Sequence, residues 1–193
     1  MNICVFGAAS NLIDEIYIEK VELLGKSLAK KGHKLVFGAG GNGLMGAIAR
    51  GFSAENGTIY GIIPSFFKEE NIEVIYDHCT QLIFTEDMAE RKAKMENLAD
   101  AFIIVPGGIG TFEEFFQVLT GKQLNRHTKP IAIYDIEGYY KNMVELLEKS
   151  IEQKFIRENC KDIYFYSDDI DEIIDYIEND KRISHDVHEL KNG

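Results

Sequence analysis

An open α/β fold, a parallel sheet doubly wound with helices on both faces, is what this 193-residue chain predicts. Three observations carry that expectation. Short apolar runs recur without period-2 alternation, as expected of strands covered on both sides. Helical stretches separate them, and strand–helix alternation implies parallel strands joined by right-handed crossovers. Glycine clusters follow several of the strands, at the sheet edge where ligands bind in such folds.

In chain order the strands are ICVF (3–6), KLVFG (34–38), TIYGII (58–63), QLIFT (81–85), AFIIV (101–105) and PIAIY (130–134), with IYFY (163–166) a candidate last strand. Residues 13–31 place Ile16, Val21, Leu24 and Leu28 on one helical stripe. Residues 43–52, 87–98, 111–124, 139–154 and 169–179 also read as helices. No repeat and no Pro/Ser-rich linker interrupts the alternation. Residues 1–180 are therefore expected to form one domain, followed by a polar, frayed tail over 181–193.

Composition narrows the function. A net charge of −11 argues against nucleic acid, which needs a basic footprint. It leaves room for a small phosphorylated ligand, because a helix N-terminus binds phosphate locally. Much of the acid excess sits in DDIDEIIDYIEND (168–180), which reads as a solvated helix face. No apolar run approaches the roughly 20 residues that span a membrane. The start, MNICVFGAAS, reads as a first strand rather than a signal peptide. Cys4, Cys79 and Cys160 are odd in number and lack a CxxC pair, so a reducing cytoplasm is expected, with neither disulfides nor a zinc cluster. His33 reads as a helix-to-strand turn residue. His78, His127, His185 and His188 read as solvated loop residues without metal-ligand spacing, HDVH (185–188) included, and no metal is expected.

Three glycine-rich bends share the ligand-binding edge: GAAS after the first strand, GAGGNGLMG after the second and PGGIGT after AFIIV. Glycine lets a ligand approach backbone amides closely. Gly7, Gly40, Gly43, Gly107, Gly108 and Gly110 are thus candidate ligand contacts. GAGGNG does not match GxGxxG and follows the second strand, so no nicotinamide or flavin dinucleotide is expected. No GxxxxGK[ST] loop is present.

The chemistry-bearing residues lie around PGGIGT. On a helix over 87–98, Met88, Arg91, Met95 and Leu98 share a face, putting an arginine in an apolar stripe. Arg91 either snorkels to water or, near the glycine loop, anchors a phosphate or carboxylate. Lys92 adds positive charge at one end of the site. Thr111 is a natural N-cap with Glu114 completing a capping box, and acids in a first turn also suit the helix dipole. Yet Phe112, Phe115, Phe116 and Leu119 already supply the buried face, which leaves Glu113 and Glu114 beside the loop amides. The dipole and Arg91 would keep such a glutamate ionised. Next to a bound sugar it can stabilise oxocarbenium charge or activate water.

MAERKAKM followed by PGGIGTFEE resembles the MxERKxxM and PGGxGTxEE pair of the Lonely Guy proteins, which are cytokinin riboside 5′-monophosphate phosphoribohydrolases often labelled lysine decarboxylases. The resemblance runs from residue 1 to about 180 and includes GLMG and GIIP. It implies a Rossmann-like homodimer that hydrolyses the N-glycosidic bond of a nucleoside 5′-monophosphate, without cofactor. It also implies a catalytic pair, Arg91 and Glu114, with Glu113 adjacent. Gly107, Gly108, Gly110 and Thr111 would hold the 5′-phosphate, and Met88 and Lys92 would lie near the nucleotide. The first loop departs from the family's CGSSxG, with Ala8 and Ala9 for the serines and Ser10 one place late. The second has Gly38-Ala39-Gly40 for GGG, and SFFKEENIEVIYDH (65–78) is unlike the usual sequence. The rival reading is a nucleotide or molybdenum-cofactor carrier on the same fold.

Overall fold

The structure is a computed structural model that describes residues 1–190 apart from Asn71, Ile183, His185 and the Lys68 side chain. Seven strands pair in parallel in the order β4-β3-β2-β1-β5-β6-β7. They are β1 (Asn2–Phe6), β2 (Lys34–Phe37), β3 (Thr58–Pro64), β4 (Gln81–Thr85), β5 (Ala101–Ile104), β6 (Ile131–Tyr134) and β7 (Phe165–Ser167). The helices are α1 (Glu15–Lys30), α2 (Gly43–Ala54), α3 (Ser65–Glu69), α4 (Met88–Leu98), α5 (Ile109–Gln123), α6 (Lys141–Glu152), α7 (Ile170–Asn179) and α8 (Val187–Leu190).

Alternation along the strands divides the core. Ile3, Val5, Ala101 and Ile103 pack under α1, α2 and α7, whereas Cys4, Phe6, Phe102 and Ile104 pack under α4, α5 and α6. All four residues of β5 and of β6 are buried, which explains their unbroken apolar runs. From β1 the chain steps outward to β4, returns to the far side of β1 as β5, and steps outward again to β7. The direction therefore reverses between β1 and β5, and the loops leaving those two strands border the ligand-binding crevice of such a sheet.

Several expectations need correction. Ile16 is 40% exposed and off the buried stripe of Val21, Leu24 and Leu28. The IYFY segment enters a 3-10 turn first and pairs only from Phe165. The helix expected from 139 begins at Lys141, because Glu137 and Gly138 take positive φ (54° and 71°) in a tight turn. His127 is part-buried, with its ring on the Val118 carbonyl at 2.9 Å. The tail is not wholly frayed: Leu190 is buried against Cys160 and Ile163. Of HDVH, His185 lies outside the described residues.

Candidate active site

The second and third glycine bends each open a helix, but the two helix starts differ. At α2 the Leu44 and Met45 amides both donate to the Ala8 carbonyl (2.8 and 3.2 Å), and the Gly43 amide donates to Asn11 Oδ1 at 3.2 Å. That end is closed by protein acceptors. Gly7, Gly40 and Gly43 therefore shape the wall: a Cβ at Gly7 would stand 2.4 Å from Val105 Cγ2. The Ser10 hydroxyl is occupied in its own turn, accepting from the Leu12 amide at 3.2 Å.

α5 is open. Its N-cap is Gly108, in extended backbone, with no side chain capping it, and Gly108, Ile109 and Gly110 are exposed. Thr111 is thus not the N-cap and Glu114 closes no capping box; the helix starts two residues earlier because the glycine before it can take the cap position. Thr111 sits buried in the first turn. The first intrahelical bond is from Phe112 to the Gly108 carbonyl, so the preceding amides have no helical partner. With the helix dipole, they form an anion cradle.

Arg91 comes from α4, which leads into β5 and so to the same sheet edge. The α4 start is fixed by Asp87, whose Oδ1 accepts from the Glu90 amide at 2.8 Å. Arg91 does not snorkel: it is 6% exposed. Its Nε donates to the Ile62 carbonyl (3.2 Å), its Nη2 to the Gly38 carbonyl (3.1 Å) and its Nη1 to Met88 Sδ (3.6 Å). Phe67 lies against the guanidinium, its ring centroid 5.7 Å from Cζ. A guanidinium has five N–H groups, and these bonds use three. On the other side, Lys92 Nζ pairs with Glu113 Oε1 at 2.6 Å, tying α4 to α5.

A cleft of about 330 Å³ lies against the same loop, lined in part by Ala8, Ser10, Tyr17, Leu44, Gly107 and Tyr139. An anion cradle, a seated arginine and a glutamate one turn down the cradle helix thus share one sheet edge.

Residues 45–177 match the family model described as "Possible lysine decarboxylase". A probable cytokinin riboside 5′-monophosphate phosphoribohydrolase, LOG4, of Oryza sativa subsp. japonica is 36% identical over 151 residues, 78% of this chain and 65% of that protein. The enzyme LOG5 of Arabidopsis thaliana is 31% identical over 185 residues, 96% of this chain and 80% of its own. The chain belongs to the Lonely Guy family. Among solved structures, a molybdenum cofactor carrier protein from Chlamydomonas reinhardtii superposes on this Lonely Guy chain with a TM-score of 0.69 at 20% identity, covering 92% of this chain and 95% of that one. Such a likeness speaks to the fold alone.

Electrostatics distinguish this Lonely Guy site from the sequence expectation. Glu114 is not held ionised: burial raises its pKa from the usual carboxyl range to about 7. Arg91 and Lys92 pull it down, and the Glu113 and Glu73 carboxyls push it up. Burial outweighs the pull of the Arg91 charge. Among the described residues no ion pair within 4 Å joins Arg91 to Glu114.

Two features escaped sequence reasoning. The unusual 65–78 segment folds back on the second bend: the Gly41 amide donates to the Val74 carbonyl (2.7 Å), and the Tyr76 amide to that of Ala39 (2.8 Å). This sets Glu73 beside Gly40, where its buried Oε2 finds no hydrogen-bond partner among the described residues. The other feature is Tyr139, whose hydroxyl donates to the Gly107 carbonyl at 2.6 Å. The doubled tyrosine after EG was its only signal.

Proposed function

We propose that this chain hydrolyses the N-glycosidic bond of a nucleoside 5′-monophosphate, AMP or an N6-substituted cytokinin riboside monophosphate, to free base and ribose 5-phosphate. The observation that carries this reading is the uncapped start of α5 beside Arg91 and Glu114. The relatives' names fit the same chemistry. The cradle of Gly107, Gly108, Gly110 and Thr111 takes the 5′-phosphate, with Met88 and Lys92 near the nucleotide. Phosphate binding away from the scissile bond orients the sugar over Glu114.

In the reaction the oxygen of water adds to the anomeric carbon as the bond to the base breaks. The bonding pair leaves with the base, which takes up a proton. Ionised Glu114 faces the positive charge that develops on the ribose and accepts the proton from water; a carboxyl titrating near 7 is suited to that exchange. Arg91 offers its remaining N–H groups to substrate oxygens. Glu113 works one step removed, through Lys92 and its repulsion of Glu114. No metal or organic cofactor enters this scheme.

We assign residues 1–180 to a single catalytic domain. The exposed Phe116 and Phe155, beside an apolar groove of about 350 Å³, support a homodimer. Three free cysteines support a cytoplasmic setting. The test is incubation with AMP and with isopentenyladenine riboside 5′-monophosphate. Free base should appear, and should vanish in Glu114→Gln. Tight binding without release would favour the carrier reading; release that survives Glu114→Gln would overturn the role given to Glu114.

A further inference from the structure

The turn after β6 grips the cradle loop by its carbonyls. Tyr140 donates its hydroxyl to the Val105 carbonyl at 2.8 Å, and Tyr139 donates to that of Gly107 at 2.6 Å. Buried Asp135 holds Tyr140, accepting from its amide at 2.6 Å through Oδ1, and accepts from the Tyr166 hydroxyl through Oδ2. The Tyr140 side of the grip is thus a buried network, whereas Tyr139 is 44% exposed and holds the loop by its hydroxyl alone.

The peptide linking Gly107 to Gly108 has no side chain on either residue, so little else stops it from rotating. Gly107 cannot be replaced by a stiffer residue, because a Cβ there would lie 2.1 Å from Thr111 Oγ1. In a trans peptide the carbonyl and the following N–H point in opposite directions. The Tyr139 ring packs between Tyr17 of α1 (ring centroids 6.4 Å apart) and Tyr140 (5.0 Å). With the Gly107 carbonyl held by Tyr139, the Gly108 N–H points the opposite way across the peptide. Rotated by half a turn, the same peptide would aim a carbonyl oxygen at a bound anion.

We propose that Tyr139 is a positioning residue: its hydroxyl locks the Gly107–Gly108 peptide in the anion-accepting orientation and so sets affinity for the phosphate of the substrate. This deepens the nucleotide reading and rests on it for the identity of the anion.

The test uses inorganic phosphate and Tyr139→Phe. In the wild type, phosphate titration followed by ¹⁵N NMR should move the Gly108 amide resonance. In Tyr139→Phe that response should be lost, and KM for AMP should rise about tenfold, as expected for one lost hydrogen bond, with kcat within about twofold. Tyr139→Leu should behave alike, since the hydroxyl is what matters. A purely structural tyrosine would instead lower kcat and the melting temperature together and leave the Gly108 response in place; that result overturns the proposal, as does a wild type whose Gly108 amide ignores phosphate. If the wild type releases no base from any nucleotide, the hydrolase reading falls, and the phosphate titration of the two proteins still decides the role of Tyr139.

Discussion

Arg91 reaches across the sheet edge to donate from Nη2 to the carbonyl of Gly38 at 3.1 Å, and only a glycine at 38 permits it: a Cβ there would lie 1.7 Å from that nitrogen. The second glycine bend thus serves the arginine as a seat. Because Ile62 at the end of β3 supplies the other carbonyl, the guanidinium is clamped between two strand ends before any ligand arrives. Such preorganisation is what makes a charged donor effective in a site.

Gly38→Ala should therefore act as an arginine variant in disguise. The methyl group must displace the guanidinium, and kcat/KM for AMP should fall about 100-fold, the scale of losing one preorganised donor. Arg91→Lys should lose a similar amount, since lysine cannot reproduce the fork held by two carbonyls. Steady-state kinetics beside a thermal melt would check this. Wild-type kcat/KM in a folded Gly38→Ala protein would show that the seat is irrelevant.

Burial pushes the carboxyl of Glu114 up to about 7, so kcat/KM should rise with pH to a plateau above about 7. A profile flat from pH 5 to 8 would contradict this. Stability runs the opposite way. The folded pKa lies above the unfolded value, so between about 4.5 and 7 the folded chain holds a proton that the unfolded chain has released. Stability from this group is complete below that window and lost as pH rises through it. Glu114→Gln cannot ionise and escapes a cost on the order of 3 kcal/mol at pH 8. Its advantage in melting temperature over the wild type should widen from pH 5 to pH 8.

These predictions also mark what the residues alone disclosed. The parallel sheet covered on both faces follows from alternating runs, and the placing of Arg91's helix start on the same sheet edge as PGGIGT follows from α4 leading directly into β5; the strand order does not follow from the runs. Motif wording named Glu114. What stayed hidden depended on burial and on partners distant in sequence. Sequence placed Glu114 in a first turn beside a cation and so made it a permanent anion; in the fold, burial outweighs a guanidinium engaged elsewhere. Thr111 looked like a cap because caps are recognised by side chain, whereas Gly108 caps by backbone. Tyr139 acts 32 residues away, on a carbonyl that carries no sequence mark.

Glu113 and Lys92 should tune Glu114 with opposite signs. Removing the Glu113 charge removes a repulsion, so Glu113→Gln should move the kcat/KM midpoint to lower pH. Lys92→Met removes an attraction and should move it higher. The ion pair between them is largely exposed on the glutamate side, so either change should alter stability by less than about 1 kcal/mol. Midpoints shifting together in one direction would show that the two residues act on the fold rather than on the charge of Glu114.

The glycines of the cradle should separate affinity from stability. A Cβ at Gly108 meets nothing within 4 Å, and its backbone is extended, a conformation alanine adopts freely. Gly108→Ala should keep or slightly raise the melting temperature, by about 0.4–1 kcal/mol of stability from a stiffer unfolded chain. It should still raise KM for AMP about tenfold, because the added methyl occupies space beside the amides meant for the phosphate. Gly107→Ala should do the reverse in kind. Its Cβ would stand 2.1 Å from Thr111 Oγ1 and 2.5 Å from Thr111 Cβ, so the first turn of α5 must shift and the melting temperature must fall. Thermal melts and AMP titrations on the two variants would settle the matter. Equal loss of stability in both would mean that the open space at Gly108 is not where a ligand sits.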